Sequence, residues 1–126
     1  MENEVKKVFI FDDNQEILDL CTLILEEAGY SVKTSTTSND IIAQVISFMP
    51  NLILMDNWLP DLGGIEATKA IKTHKLLNHI PVVYFSANSE ISNLATQAGA
   101  DNYLSKPFDI QDLEEIVKKE INSDTI

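Results

Sequence analysis

Asp12, Asp13, Asp56, Ser86 and Lys106 have the side chains for one shared piece of chemistry, and each stands at or just past the end of a short apolar run. The runs are Val8-Phe9-Ile10-Phe11, Leu52-Ile53-Leu54-Met55, Val82-Val83-Tyr84-Phe85 and, more briefly, Tyr103-Leu104. Carboxylates crowded at one edge cannot all ionise cheaply, so three neighbouring aspartates share protons, recruit a cation, or do both. Lys106 offsets one charge only. Mg²⁺ suits the remainder, because it takes oxygen ligands and commonly uses one or two carboxylates with waters and a phosphate; Mn²⁺ is a possible substitute. Asp13 and Asp56 are the expected ligands, with Asp12 acting directly or through water. One carboxylate can then attack phosphorus and become an aspartyl phosphate, while the cation, Lys106 and the Ser86 hydroxyl balance charge on the phosphoryl oxygens. Asp56 is the preferred nucleophile because it ends a central run, although the residues alone leave the choice of acid open.

These side chains meet only if the runs are parallel strands of one sheet, whose carboxyl edge is where open α/β sheets hold their sites. Strand and helix signals alternate five times along the chain. After the first strand, Ile17, Cys21, Ile24, Leu25 and Ala28 have the spacing of one buried helix face, Gly29 supplies a left-handed stop, and Asp13 with Glu16 resembles a capping box. Ser31 to Ser35 alternates as a strand, and a helix over roughly Ser38 to Met49 is broken by Pro50-Asn51. A loop from Asn57 to Gly64 leads to a helix carrying Ile65, Thr68 and Ile71, and Pro81 opens the fourth strand. A helix from about Ser89 stops at Gly99, a short strand runs to Ser105, and Asp109 caps a last helix with Leu113, Ile116, Val117 and Ile121. Runs 1, 3 and 4 are continuously apolar, as central parallel strands are, whereas 2 and 5 are not. The predicted fold is therefore α/β: a doubly wound, five-stranded parallel sheet of order 2-1-3-4-5, the flavodoxin-like (βα)5 arrangement, with its switch point between strands 1 and 3.

The 126 residues fit one domain, 1–126, with enough apolar content, 44%, to close a core without disulfides. Cys21, the single cysteine, falls on an apolar helix stripe and reads as core. A net charge of -11 argues against direct nucleic-acid binding, which needs a basic face. No run approaches the ~18 apolar residues of a membrane span, so no membrane insertion is expected. Met1-Glu2-Asn3-Glu4 does not begin a signal peptide, so the expected compartment is the cytoplasm. His74 and His79 have no companions at metal-ligand spacing and read as surface or structural residues. Glu114-Glu115 and Lys118-Lys119 read as a solvated helix face.

Over essentially its whole length the chain resembles the receiver domain of two-component response regulators. Asp12-Asp13 looks like that family's acidic pair, Asp56 its phosphorylated aspartate, Ser86-Ala87 its hydroxyl and small residue, and Lys106-Pro107 its lysine and proline. Pro60 and Gly64 fall four and eight residues after Asp56, as in the family's loop. The resemblance implies Mg²⁺ held by Asp13, Asp56 and the backbone carbonyl of Trp58, a cis Lys106-Pro107 bond, and Tyr103 as an aromatic switch coupled to Ser86. It also implies a histidine kinase or histidine phosphotransfer protein as donor, and an unknown downstream protein at the surface of helix 4, strand 5 and helix 5. The domain would catalyse its own phosphorylation and autodephosphorylation without being a conventional enzyme. Trp58 and Asn88 occupy positions that vary in the family and flank the path of water, so the bulky Trp58 is expected to slow hydrolysis. Asn57 replaces the apolar residue often found after the acceptor.

Taken singly, each site residue has an ordinary explanation as a cap, a strand end or a turn; their joint spacing favours the chemistry. An unphosphorylated interaction module is the alternative from the binding class, and the complete residue set disfavours it. A flavin-binding relative would need a phosphate-cradling loop where Asp12-Asp13 is repulsive, and a phosphatase relative usually has an acid where Trp58 stands. The chain reads as a stand-alone regulator or as a receiver cut from a longer protein, with Met1 favouring a native amino terminus.

Overall fold

The computed structural model describes residues 4–122. Strands β1 (Lys7–Phe11), β2 (Ser31–Ser35), β3 (Leu52–Asp56), β4 (Val82–Ser86) and β5 (Asn102–Ser105) alternate with helices α1 (Gln15–Glu27), α2 (Ile41–Phe48), α3 (Gly64–Lys72), α4 (Ile91–Ala98) and α5 (Ile110–Asn122). Neighbouring strands are parallel, in the order β2-β1-β3-β4-β5 that the sequence predicts.

Successive residues of a strand point to opposite faces, and here both faces are covered. Phe9, Phe11, Ile53, Met55, Val82 and Tyr84 pack with Ile41 and Val45 of α2, Ala67 and Ile71 of α3, and Ile91 and Ala95 of α4. Val8, Ile10, Leu52, Leu54, Val83 and Phe85 pack with Leu18, Cys21 and Leu25 of α1 and with Leu113 and Val117 of α5. Every residue of β3 and β4 is buried, which accounts for their unbroken apolar runs, whereas β2 and β5 are partly open edges. Cys21 is fully buried, as expected of a core residue.

The helix starts depart from the sequence reading where loop side chains take other work. Asn14, not Asp13, caps α1: its Oδ1 accepts the Glu16 and Ile17 amides at 2.9 and 3.3 Å. That leaves Asp13 free of any capping duty. α2 starts at Ile41 rather than near Ser38, because the Ser38 hydroxyl donates to the Pro60 carbonyl at 2.9 Å and accepts the Leu62 amide at 2.7 Å. α4 starts at Ile91 rather than near Ser89, after Asn88 has drawn the Glu90 amide onto its Oδ1 at 2.7 Å. Asp109 does cap α5, accepting the Asp112 amide at 2.8 Å, and Gly29 and Gly99 hold the positive φ values of helix stops.

Candidate functional site

Register assembles the site. Phe11 pairs with Met55, so Asp12 and the strand end Asp56 lie side by side; Asp56 pairs with Phe85, which puts Ser86 one step further; Ser86 pairs with Ser105, one step before Lys106. The Lys106 amide donates to the Ser86 carbonyl at 2.9 Å, extending this edge beyond the strands. Lys106-Pro107 is a cis bond, as the resemblance implied.

Lys106 Nζ donates to Asp12 Oδ2 at 2.7 Å and to Asp56 Oδ1 at 2.9 Å, and lies 4.7 Å from the centre of the Phe85 ring. The other oxygens are also used. Asp12 Oδ1 accepts the Asn14 amide at 2.9 Å, and Asp56 Oδ2 accepts the Trp58 amide at 3.0 Å. Asp12 and Asp56 are buried, whereas Asp13 is exposed at the mouth. One carboxylate oxygen from each of these three acids lies within 4.8 Å of the others, a set of hard oxygen donors that fits a divalent cation such as Mg²⁺.

Burial pushes the Asp56 carboxyl above its ordinary pKa, and the charge of Asp12 adds to this against the opposing hydrogen bond from Lys106. Burial works against the Lys106 ammonium, but its hydrogen bonds to Asp12 and Asp56 outweigh that and raise its pKa. The Cys21 thiol, raised to about 12 by burial and then by Asp12, is not a competing nucleophile. The acids and Lys106 line an open cavity of about 360 Å³ together with Trp58, Ser86, Ala87 and Asn88.

Of the expected switch residues, Ser86 lines this cavity, whereas Tyr103 lies outside its lining on the neighbouring edge strand β5. Ser86 is buried and its hydroxyl accepts the Asn88 amide at 3.0 Å; Tyr103 pairs in register with Tyr84 and is 42% exposed. Trp58 is 76% exposed, with its amide engaged by Asp56. His74 is used locally, its ring nitrogen accepting the Leu76 amide at 3.1 Å.

Two supports of the site escaped the sequence reading. One is the Ser38 staple, which ties the loop before α2 to the loop after Asp56. The other is inside: the Tyr84 hydroxyl donates to Asn57 Oδ1, next to Asp56. Gly64 permits that approach, because a Cβ there would overlap the Asp56 carbonyl oxygen and come within 2.8 Å of Asn57 Cα and 2.9 Å of Tyr84 Oη. The available signal was a tyrosine inside an apolar strand, whose hydroxyl needs a partner when buried.

A family model described as the response regulator receiver domain matches residues 8–118. The chain is 33% identical over 115 residues to the alkaline phosphatase synthesis transcriptional regulatory protein PhoP of Bacillus subtilis, covering 90% of this chain and 47% of that protein. It is also 33% identical over 110 residues to the phosphate regulon transcriptional regulatory protein PhoB of Pseudomonas aeruginosa, covering 86% of this chain and 48% of the relative. The chain thus spans about half the length of these curated relatives. Among solved structures, a CheY-like response regulator receiver domain protein from Methanospirillum hungatei superposes with a TM-score of 0.85 at 33% identity, over 97% of this chain and 98% of that one. The chemotaxis response regulator CheY4 of Vibrio cholerae shares the fold with a TM-score of 0.85 at 24% identity, over 93% of this chain and 99% of that one.

Proposed function

Because this chain belongs to the response regulator receiver family, we propose that it accepts a phosphoryl group on Asp56 from a histidine kinase or histidine phosphotransfer protein and so signals to a downstream protein. The observation that carries the reading is one lysine bridging two buried carboxylates from neighbouring strands, with a third acid at the open side. Asp13, Asp56 and the Trp58 carbonyl would hold Mg²⁺, with Asp12 acting directly or through water. When bound, the ion neutralises charge gathered by the carboxylates and the phosphoryl oxygens. No helix among the described residues is long and apolar enough to cross a membrane, and the proposed compartment is the cytoplasm.

In the transfer, an Asp56 oxygen attacks phosphorus as the donor's phosphorus–nitrogen bond breaks, and that electron pair stays on the imidazole, which takes up a proton. Lys106 and the Ser86 hydroxyl then donate to the phosphoryl oxygens. In autodephosphorylation a water oxygen attacks phosphorus as the Asp56 oxygen–phosphorus bond breaks; that electron pair restores the carboxylate, and inorganic phosphate leaves carrying the water's oxygen and protons. Trp58 and Asn88 flank the water's path, and the indole slows it. Drawing Ser86 toward the phosphoryl group makes room for Tyr103 to turn inward, biasing the surface around α4, β5 and α5. Moving such a two-state equilibrium from 1:99 to 99:1 takes about 5.5 kcal/mol, a scale that several charge-assisted hydrogen bonds can supply.

Incubation with Mg²⁺ and a small acyl phosphate, followed by intact mass, tests the reading. The wild type should gain one phosphoryl group and Asp56→Asn none. Equal incorporation by both, or none by either, would refute it.

A further inference from the structure

We infer that Tyr84 is a positioning residue for the phosphoryl and cation site: its hydroxyl, delivered from inside the core, fixes Asn57 and through it the peptides that orient Asp56 and Trp58. This rests on the function proposed above and adds a residue to its machinery. Tyr84 is fully buried on the face of β4 that packs against α3 and α4, so its ring cannot reach solvent to satisfy the hydroxyl. It donates instead to Asn57 Oδ1.

Asn57 is held at a second point, since its carbonyl accepts the Gly64 amide at 3.0 Å. The residue is therefore pinned by side chain and backbone between the acceptor and the amide that serves it: Asp56 precedes it, and the Trp58 amide that follows donates to Asp56 Oδ2 at 3.0 Å. Asn57 also lines the acceptor cavity. The phenol stays a donor across the neutral range, because burial, with Asp56 adding to it, raises its pKa to about 12. An apolar pair at 57 and 84 would fill the same space without fixing the rotation of the peptides on either side. Tyr84 also sits two residues before Ser86 on the same strand, so one rigid element sets both the acceptor loop and the hydroxyl opposite it.

The test compares wild type, Tyr84→Phe, Asn57→Leu and the double variant. Each is titrated with Mg²⁺ by the fluorescence of Trp58, the only tryptophan. Phosphoryl lifetime and the urea midpoint are measured beside it. Loss of the bond should weaken Mg²⁺ binding by roughly three- to tenfold in either single variant, the fold-change that matches the net worth of one hydrogen bond. The double variant should lose no more than one single variant, and the lifetime should change in step with affinity. Mg²⁺ affinities within about 1.5-fold of wild type, or losses that multiply in the double variant, would overturn the inference even with Asp56 phosphorylated normally. A purely structural role would move the urea midpoint alone. If Tyr84→Phe does not fold, Asn57→Leu removes the same bond from the other side and decides the matter. A wild type that neither binds Mg²⁺ nor takes phosphate on Asp56 would overturn the proposed function as well, which separates the two failures.

Discussion

On the β1–β3 side of the cavity, Asp12 and Asp56 are 0% and 5% exposed and all four of their carboxylate oxygens are engaged, two by Lys106 and two by backbone amides. On the β4–β5 side, Ser86 is also 5% exposed and accepts one local amide, whereas Tyr103 is 42% exposed. The first region is preorganised, so the chemistry proposed for it needs little rearrangement. Looseness in the second is confined to Tyr103 on the edge strand β5, because Ser86 is held on the buried strand β4; the switch proposed for Tyr103 calls for that freedom. The proposed acceptor and the proposed switch residue share one sheet edge while differing in how tightly each is tied.

Breaking the tight side should have the largest effect. Lys106→Ala removes the cation shared by both buried carboxylates, and phosphorylation by an acyl phosphate should slow by roughly 100-fold or more, followed as an intact-mass time course. A rate near wild type would mean that the lysine is only a structural counterion. Opening the rim should matter less: Trp58→Asn should shorten the phosphoryl lifetime several-fold, and an unchanged or longer lifetime would remove the indole from the water's path. On the loose side, Tyr103→Ala should leave the rate of phosphorylation within about twofold, the range expected of a group that makes no contact with the reacting atoms. It should also abolish the phosphorylation-dependent change in hydrogen exchange across α4, β5 and α5. Slowed transfer would instead tie Tyr103 to the tight side.

Electrostatics sharpen the same contrast. Asp56 holds its proton more tightly in the folded chain than in the unfolded one. Its ionisation therefore costs stability above its raised pKa and costs nothing below the ordinary carboxylate range. Without Mg²⁺, Asp56→Asn should be more stable than wild type to urea at neutral pH, and the difference should shrink as pH falls through that window. A difference that stays constant with pH would contradict this. The smallest effect belongs to a residue outside the chemistry: Asp109→Ala removes the cap of α5 and should cost about 1 kcal/mol of stability, read by urea unfolding, and leave phosphorylation intact.

Sheet order and the converging acids were legible because both follow from short-range pattern. Unbroken apolar runs marked β1, β3 and β4 as central, and a polar residue at the end of each run had to emerge at one edge. The helix starts were less legible, since Asp13 and Asn14 are both good caps and only the fold decides which amides each one meets. Ser38 and Asn88 look like helix-start residues and serve instead as loop fasteners. The bond from Tyr84 to Asn57 depends on an approach that Gly64 alone permits. The glycine was visible in the loop pattern, but the polar pair it accommodates was not.

The most direct measurement is to phosphorylate the chain with and without Mg²⁺ and locate the modified residue by peptide mapping. Phosphoryl transfer at the proposed site predicts Mg²⁺-dependent modification confined to Asp56. Modification of Asp12 or Asp13 instead, or equal incorporation when the cation is chelated, would contradict it.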